Sequence, residues 1–573
     1  MATRYWRGGT GSWTTTNTAN WSDTSGGGGG ASVPTASDDV IFDVNSSTGS
    51  YSVTFNSSVC LSFTAGPSTG NFNIVSGAVT VNGNCSITGN TASFGTGVTF
   101  NVYGNFNYTG SLALRGTVNM LSTTTGKTFN NTTAGSIATL VFNGVGGGWT
   151  MSGIWAGEVT LSAGTLDLGS TVITYAGTNN FPSFTVSNNA NTKVLNLNAA
   201  SITARTFNFP NNSSSTTVIA GTSTLSMYSS TTILSNGTFN NSGNFTFNNF
   251  VVSPTIASSP NIFFTGNSTF NNFTINAPTS DYQFYCNVLD SITINGTFTV
   301  TGGTYTRRVA FIPSISSGPA PVTSASISAA NTSLSYVDFY GINASGAAAP
   351  FSGTSVGDAG GNTSINGTTA KTVYWNLLAG GNYNANAYAT SSGGAVSLAN
   401  FPLPQDTLII DNAGLNSGAG IRFDVGLFMI TNLLSTRTID WVPTFNGSRF
   451  FGNITIPAPA GVFASSQSFY GFNKTIVVGS TINGSSTFIT TGTITFSASS
   501  FQTIIISGGT CVLGNNTLCT TRVSLTKGTL NLNNFLLEIT SSTTPAFSSD
   551  NSNTRSIAFG SSGVIRINSG TNN

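Results

Sequence analysis

Thr246-Phe247-Asn248-Asn249-Phe250 returns 23 residues later as Thr269-Phe270-Asn271-Asn272-Phe273. One coil of a three-sided parallel β-helix takes about that many residues, and each coil must stack on a neighbour to bury its inward side chains. Asparagine and phenylalanine recurring in step predict ladders of like residues running from coil to coil. The same words occur at Thr238-Phe239-Asn240-Asn241 and Thr128-Phe129-Asn130-Asn131, at less regular intervals.

Outward from this repeat, apolar and small polar residues alternate throughout, as in Phe72-Asn73-Ile74-Val75, Val98-Thr99-Phe100-Asn101-Val102 and Ser291-Ile292-Thr293-Ile294-Asn295. Gly, Asn or Ser punctuates the runs, which reads as many short strands. Helix signals are nearly absent, with only Glu158 and Glu538 as glutamates and no long window of three- and four-residue periodicity. The expected class is all-β: tandem modules of parallel β-helix (β-solenoid) character with small Gly/Trp-rich heads. Tandem β-sandwiches are the alternative.

The tandem arrangement rests on a duplication. Tyr5-Trp6-Arg7-Gly8-Gly9 is matched by Tyr374-Trp375 and Gly380-Gly381, and Pro34 by Pro404. Asp39-Val40-Ile41-Phe42-Asp43 is matched by the strand from Asp406 to Asp411. Downstream, the segment from Val159 to Leu168 recurs from Val523 to Leu532, and Asn191-Thr192-Lys193 recurs as Asn553-Thr554-Arg555. The expected domains are a head at 1–45, a first solenoid at 46–305 of roughly eleven coils rising about 4.8 Å each, and a Pro/Gly/Ala-rich linking subdomain at 306–369. A second head at 370–412 and a second, incomplete solenoid at 413–573 follow. Each head is expected to be the cap or joint that starts a rod segment.

Charge is scarce. Asp, Glu, Lys and Arg make up 6% of the chain, with 17 basic residues against 16 acidic, where about 25% is usual. Nucleic acid is not an expected partner, since the one dibasic pair is Arg307-Arg308 and phosphate binding needs a basic face. With 39% hydrophobic and 11% aromatic residues, the chain is too apolar for disorder. Its apolar runs are too short to span a bilayer as helices. The start, Met1-Ala2-Thr3-Arg4-Tyr5-Trp6, lacks the apolar core of a secretory signal. Cys60, Cys85, Cys286, Cys511 and Cys519 lack metal-site spacing, so buried free thiols and no disulfide are expected.

Histidine is absent, which removes the commonest general base and metal ligand. No cofactor and no catalytic residue is expected. The enzymatic rival is a glycosidase, which needs only two carboxylates about 5 to 9.5 Å apart; Glu158 with Asp167, and Asp281 with Asp290, could face each other across turns. Asp38, Asp39 and Asp43 could ligate Ca²⁺, although turn capping is the plainer role. Trp6, Trp13, Trp21, Trp375 and Tyr383 could form a sugar-stacking platform or fill the cores of the heads.

The Tyr5-Trp6-x-Gly8-Gly9-x-Gly11-x-Trp13 head, the Ala19-Asn20-Trp21-Ser22 turn, the Gly-rich run to Ala31-Ser32-Val33-Pro34 and the Asp39 to Asp43 strand resemble large repetitive virion proteins of tailed bacteriophages, of the fibre or adhesin-like kind. The second head departs from the pattern, with Tyr383 and Tyr388 where tryptophans would stand. The resemblance implies a non-enzymatic structural protein that assembles in the host cytoplasm and leaves with the virion. Its implied partners are other virion proteins, copies of itself (a trimer, by fibre analogy) and a cell-surface glycan. A bacterial surface adhesin is the alternative, and a polysaccharide-degrading tailspike-like glycosidase a second one.

Overall fold

The computed structural model describes residues 2–569 apart from 68–69, 90–91, 111–114, 133–138, 175–182, 211–213, 230–235, 255–260, 314–324, 427, 446–447, 458–466, 471–473, 491 and 542–544. Alternation is the local cause of the architecture. In Tyr51–Phe55 and Thr117–Met120 every second side chain is buried, because successive side chains of a strand point to opposite faces. The strands pair in parallel from coil to coil. On one face Asp39–Phe42, Ser62–Ala65, Cys85–Gly89, Phe106–Gly110 and Lys127–Asn131 follow one another. A second face runs through Gly11–Trp13, Tyr51–Phe55 and the first half of Phe72–Val81. The third runs through Ser58–Cys60, the second halves of Phe72–Val81 and Ala92–Val102, then Thr117–Met120. This is the parallel solenoid; a sandwich would pair its strands antiparallel.

Corners set the three faces. Phe72–Val81 turns at Gly77, whose φ is +95°, and a Cβ there would lie 1.7 Å from the Phe55 carbonyl oxygen. Only glycine lets the backbone turn so close to the coil below. Inside, like residues stack: Phe106 lies over Phe129 with centroids 5.1 Å apart and planes 5° apart. Outside, amides form the expected ladders. Asn130 Nδ2 donates to Asn107 Oδ1 at 2.8 Å, Asn271 to Asn248 at 3.3 Å and Asn272 to Asn249 at 3.0 Å, so the 23-residue repeat is one coil.

The chain forms two compact units. One comprises Met1–Tyr228, Gly237–Val252 and Thr265–Phe273; the other comprises Ser229–Asn236, Ser253–Phe264 and Thr274–Asn573. The expected linking subdomain at 306–369 is replaced by more rungs within the second unit. Arg308–Pro313 pairs with Val337–Phe339, Ala325–Ser335 with Ile342–Ser345, and Phe339 with Asp358. Proline and glycine mark corners here instead of a linker, as at Pro313, the last residue of its strand; Pro319 and Pro321 lie outside the described residues.

In the same unit the second module runs in parallel register through Thr372–Trp375, Thr407–Ile410, Asn432–Ser435, Ile454–Ile456 and Lys474–Ile489. It continues through Thr493–Leu513, Thr517–Asn531, Leu536–Ser541 and Val564–Ser569. Its early rungs pack sideways on the preceding ones: Tyr285, Ala310, Ile312, Tyr340 and Ala359 form one apolar cluster with Met429 and Phe451. The Arg449 guanidinium sits 4.0 Å over the Tyr285 ring, and the Asp358 N–H donates to Gln405 Oε1 at 2.9 Å.

Candidate functional site

The two heads are built alike. Thr3–Trp6 pairs in parallel with Asp39–Phe42 and antiparallel with Trp21–Ser22; Thr372–Trp375 pairs with Thr407–Ile410 and Tyr388–Ala389 in the same senses. Trp6, Trp13 and Trp21 are all buried, with Trp21 edge-on to both others at 5.1 and 5.0 Å. Trp375 and Tyr383 are fully buried in the second head. A sugar-stacking platform needs open ring faces, so these five residues are core and not a platform.

The acids of the heads are held by hydrogen bonds within the fold. Asp38 is buried and accepts from Ala2 N at 2.9 Å and from Thr35 N and Oγ1 at 3.0 and 2.7 Å. Asp39 accepts from Ser62 Oγ at 2.5 Å, and Asp43 from Asn45 N at 3.0 Å and Ser25 Oγ at 2.7 Å. Asp38 points inward, Asp39 bonds the facing Ser62 of the next rung and Asp43 serves a turn, so the three do not converge as Ca²⁺ ligands. Among the described residues no three His, Cys, Asp or Glu side chains form a metal-binding group. The counterpart of Asp38 is Asp406, which accepts from Lys371 N at 2.9 Å and Leu403 N at 2.8 Å. Burial pushes the Asp406 carboxyl above its ordinary value, and two backbone donors only partly offset this. At Asp38 burial acts the same way, but the Thr35 hydroxyl, two backbone donors and the Arg4 charge outweigh it, and the carboxyl lies low.

The candidate carboxylate pairs are not brought face to face. Glu158 precedes and Asp167 ends Val159–Asp167, and Asp281 and Asp290 flank Gln283–Val288. A whole strand separates the members of each pair, where turns were expected. Asp167 instead accepts from Gly169 N at 2.9 Å and Asn198 Nδ2 at 2.7 Å. All five cysteines are free and buried; Cys511 lies opposite Leu530 and Cys519 opposite Phe501.

The dibasic pair places one guanidinium inside the fold and one outside. Arg308 begins a strand and points inward. Its Nε and Nη2 bind the two Asp338 oxygens at 2.8 and 2.5 Å, and Gln283 bridges the Asp338 carboxylate to the Met429 N–H. Arg307, one residue earlier, points outward. It closes a tight hairpin with Thr304, and its Nε donates to Asp281 Oδ1 at 3.0 Å, with both side chains between two-fifths and one-half exposed. Thr306 Oγ1 donates to the same oxygen at 3.1 Å.

Beside them stand two half-buried tyrosines. Tyr305, at the hairpin tip, packs against the core of the second module, and its ring meets Tyr336 at 5.3 Å and 82°. Tyr336 has φ +51°, a left-handed conformation that costs a non-glycine residue about 1–2 kcal/mol. The rungs on either side place Gly302 and Ser355 in that corner column. A Cβ on Gly302 would lie 2.3 Å from the Tyr336 Cβ, so the glycine makes room for the tyrosine. This pairing of two ring faces with an ion pair was not visible in the sequence, where Tyr305 and Tyr336 are 31 residues apart. The signal available was Arg307-Arg308 itself, since adjacent strand residues face opposite ways.

Comparison with protein-family models, with curated proteins and with solved structures finds no match to this chain.

Proposed function

We propose that this chain is a non-enzymatic structural protein of a bacteriophage virion, a fibre-like scaffold that takes part in attachment to the host surface. The observation that carries this reading is the pair of heads. In the first, the aromatic motif that resembles phage fibre proteins is built into the first rung as packing, and in the second Trp375, Tyr383 and Tyr388 pack in the same way, which supports a module-starting device. The charge-poor exterior, dressed with Thr and Asn ladders, fits a scaffold that meets neutral surfaces. Other virion proteins, further copies of the chain and a cell-surface glycan are its proposed partners.

An antibody raised against the purified chain tests the assignment by immuno-electron microscopy of phage particles from a host that produces it. The expected outcome is labelling at the particle periphery. Particles free of the chain by labelling and by mass spectrometry would overturn it.

A further inference from the structure

We infer that Tyr305, Tyr336, Arg307 and Asp281 form a saccharide-binding site that takes a neutral sugar unit with a vicinal diol. The choice of a saccharide rests on the attachment reading; the location rests on geometry alone. Arg307 uses only Nε toward Asp281 Oδ1, so its two Nη groups remain as donors and Asp281 Oδ2 remains as an acceptor. A carboxylate oxygen and a guanidinium side by side match two neighbouring hydroxyls, one donating to Oδ2 and the next accepting from Nη. Tyr305 and Tyr336, set at 82°, make a two-walled corner against which the C–H face of a pyranose packs. Because the ion pair is internally neutral, an uncharged sugar leaves no unpaired charge behind.

The site is held before any ligand arrives. Thr306 is buried and braces Asp281, Asn384 Nδ2 of the second head donates to the Asp281 carbonyl at 3.2 Å, and Tyr305 is anchored on the second module's core. Tyr336 is the one aromatic residue in the left-handed region among the described residues. Its unfavourable backbone is accounted for if the ring is needed where it stands.

The test is binding of the full chain to a printed array of glucose-, galactose-, mannose- and rhamnose-terminated oligosaccharides, with deoxy and O-methyl counterparts of each. At least one diol-bearing sugar should bind and its blocked counterparts should not. Tyr336→Gly and Arg307→Lys should each weaken binding by about tenfold or more, whereas Tyr103→Ala, at an exposed tyrosine of the first unit, should leave it unchanged. Tyr336→Gly suits the left-handed corner, so its melting temperature should not fall. Binding that survives both site variants would overturn the site and leave the attachment reading standing. No binding to any arrayed sugar overturns the site as well, and particle labelling then decides the attachment reading separately.

Discussion

At the scale of single residues, the buried carboxylates of the two heads differ by one hydroxyl donor. Asp38 is served by the Thr35 side chain, while Asp406 has Leu403 in that place and receives only its backbone N–H. The consequence for stability has opposite signs. The Asp38 carboxyl titrates below its ordinary value of 3.8, so it stabilises the fold above that pH, and the contribution disappears as pH falls through the lowered value. Asp406 titrates above 3.8, so its ionisation costs stability, and the cost builds as pH rises from about 4 through the raised value. Leu403→Thr should therefore lose less stability at pH 6 than at pH 3, by about 1 kcal/mol for a hydroxyl donor to a carboxylate. The lost leucine packing is the same at both pH values and drops out of the difference. Thr35→Val should show the reverse, losing more at pH 6. Equal deficits at the two pH values, measured by chemical unfolding, would refute the account.

At the scale of rungs, the corners matter more than the faces. Gly77→Ala sets a methyl group against the Phe55 carbonyl and should destabilise the first unit by about 3 kcal/mol or more. Gly126 is also left-handed, at φ +77°, but a Cβ there meets nothing within 4 Å. Gly126→Ala should then cost only the backbone preference, about 1 kcal/mol. Hydrogen-exchange protection of the flanking strands reads both effects, and similar losses for the two variants would show that the close approach is unimportant. This layer of organisation was largely legible beforehand. Alternation gave the inward Phe and outward Asn, and the 23-residue return gave the coil. Facing was the harder matter: Trp6, Trp13 and Trp21 lie in so glycine-rich a segment that no alternation says which way they point. Prolines between 306 and 369 looked like a linker because corners and linkers use the same residues.

At the scale of the second unit, what escaped the sequence was contact between distant coils. Gln283, Arg308 and Asp338 form one buried network, and Gln283 reaches Met429, 146 residues away in a chain with no charge pattern to point there. Residues 370–573 produced alone would strip the cover from Met429 and Phe451 and leave the Met429 N–H unpaired. That fragment should melt several degrees below residues 274–573; equal melting temperatures would mean that the sideways packing contributes nothing. The head hairpins have a further consequence. In each, the Tyr-Trp strand has its rung partner on one side and an antiparallel strand on the other, so on that face the edge at which each stack begins is already occupied. With that face covered, the following strands of the face add on the far side, in the order in which the ribosome delivers them. Synthesis and stacking then proceed in one direction, each emerging coil meeting a finished template.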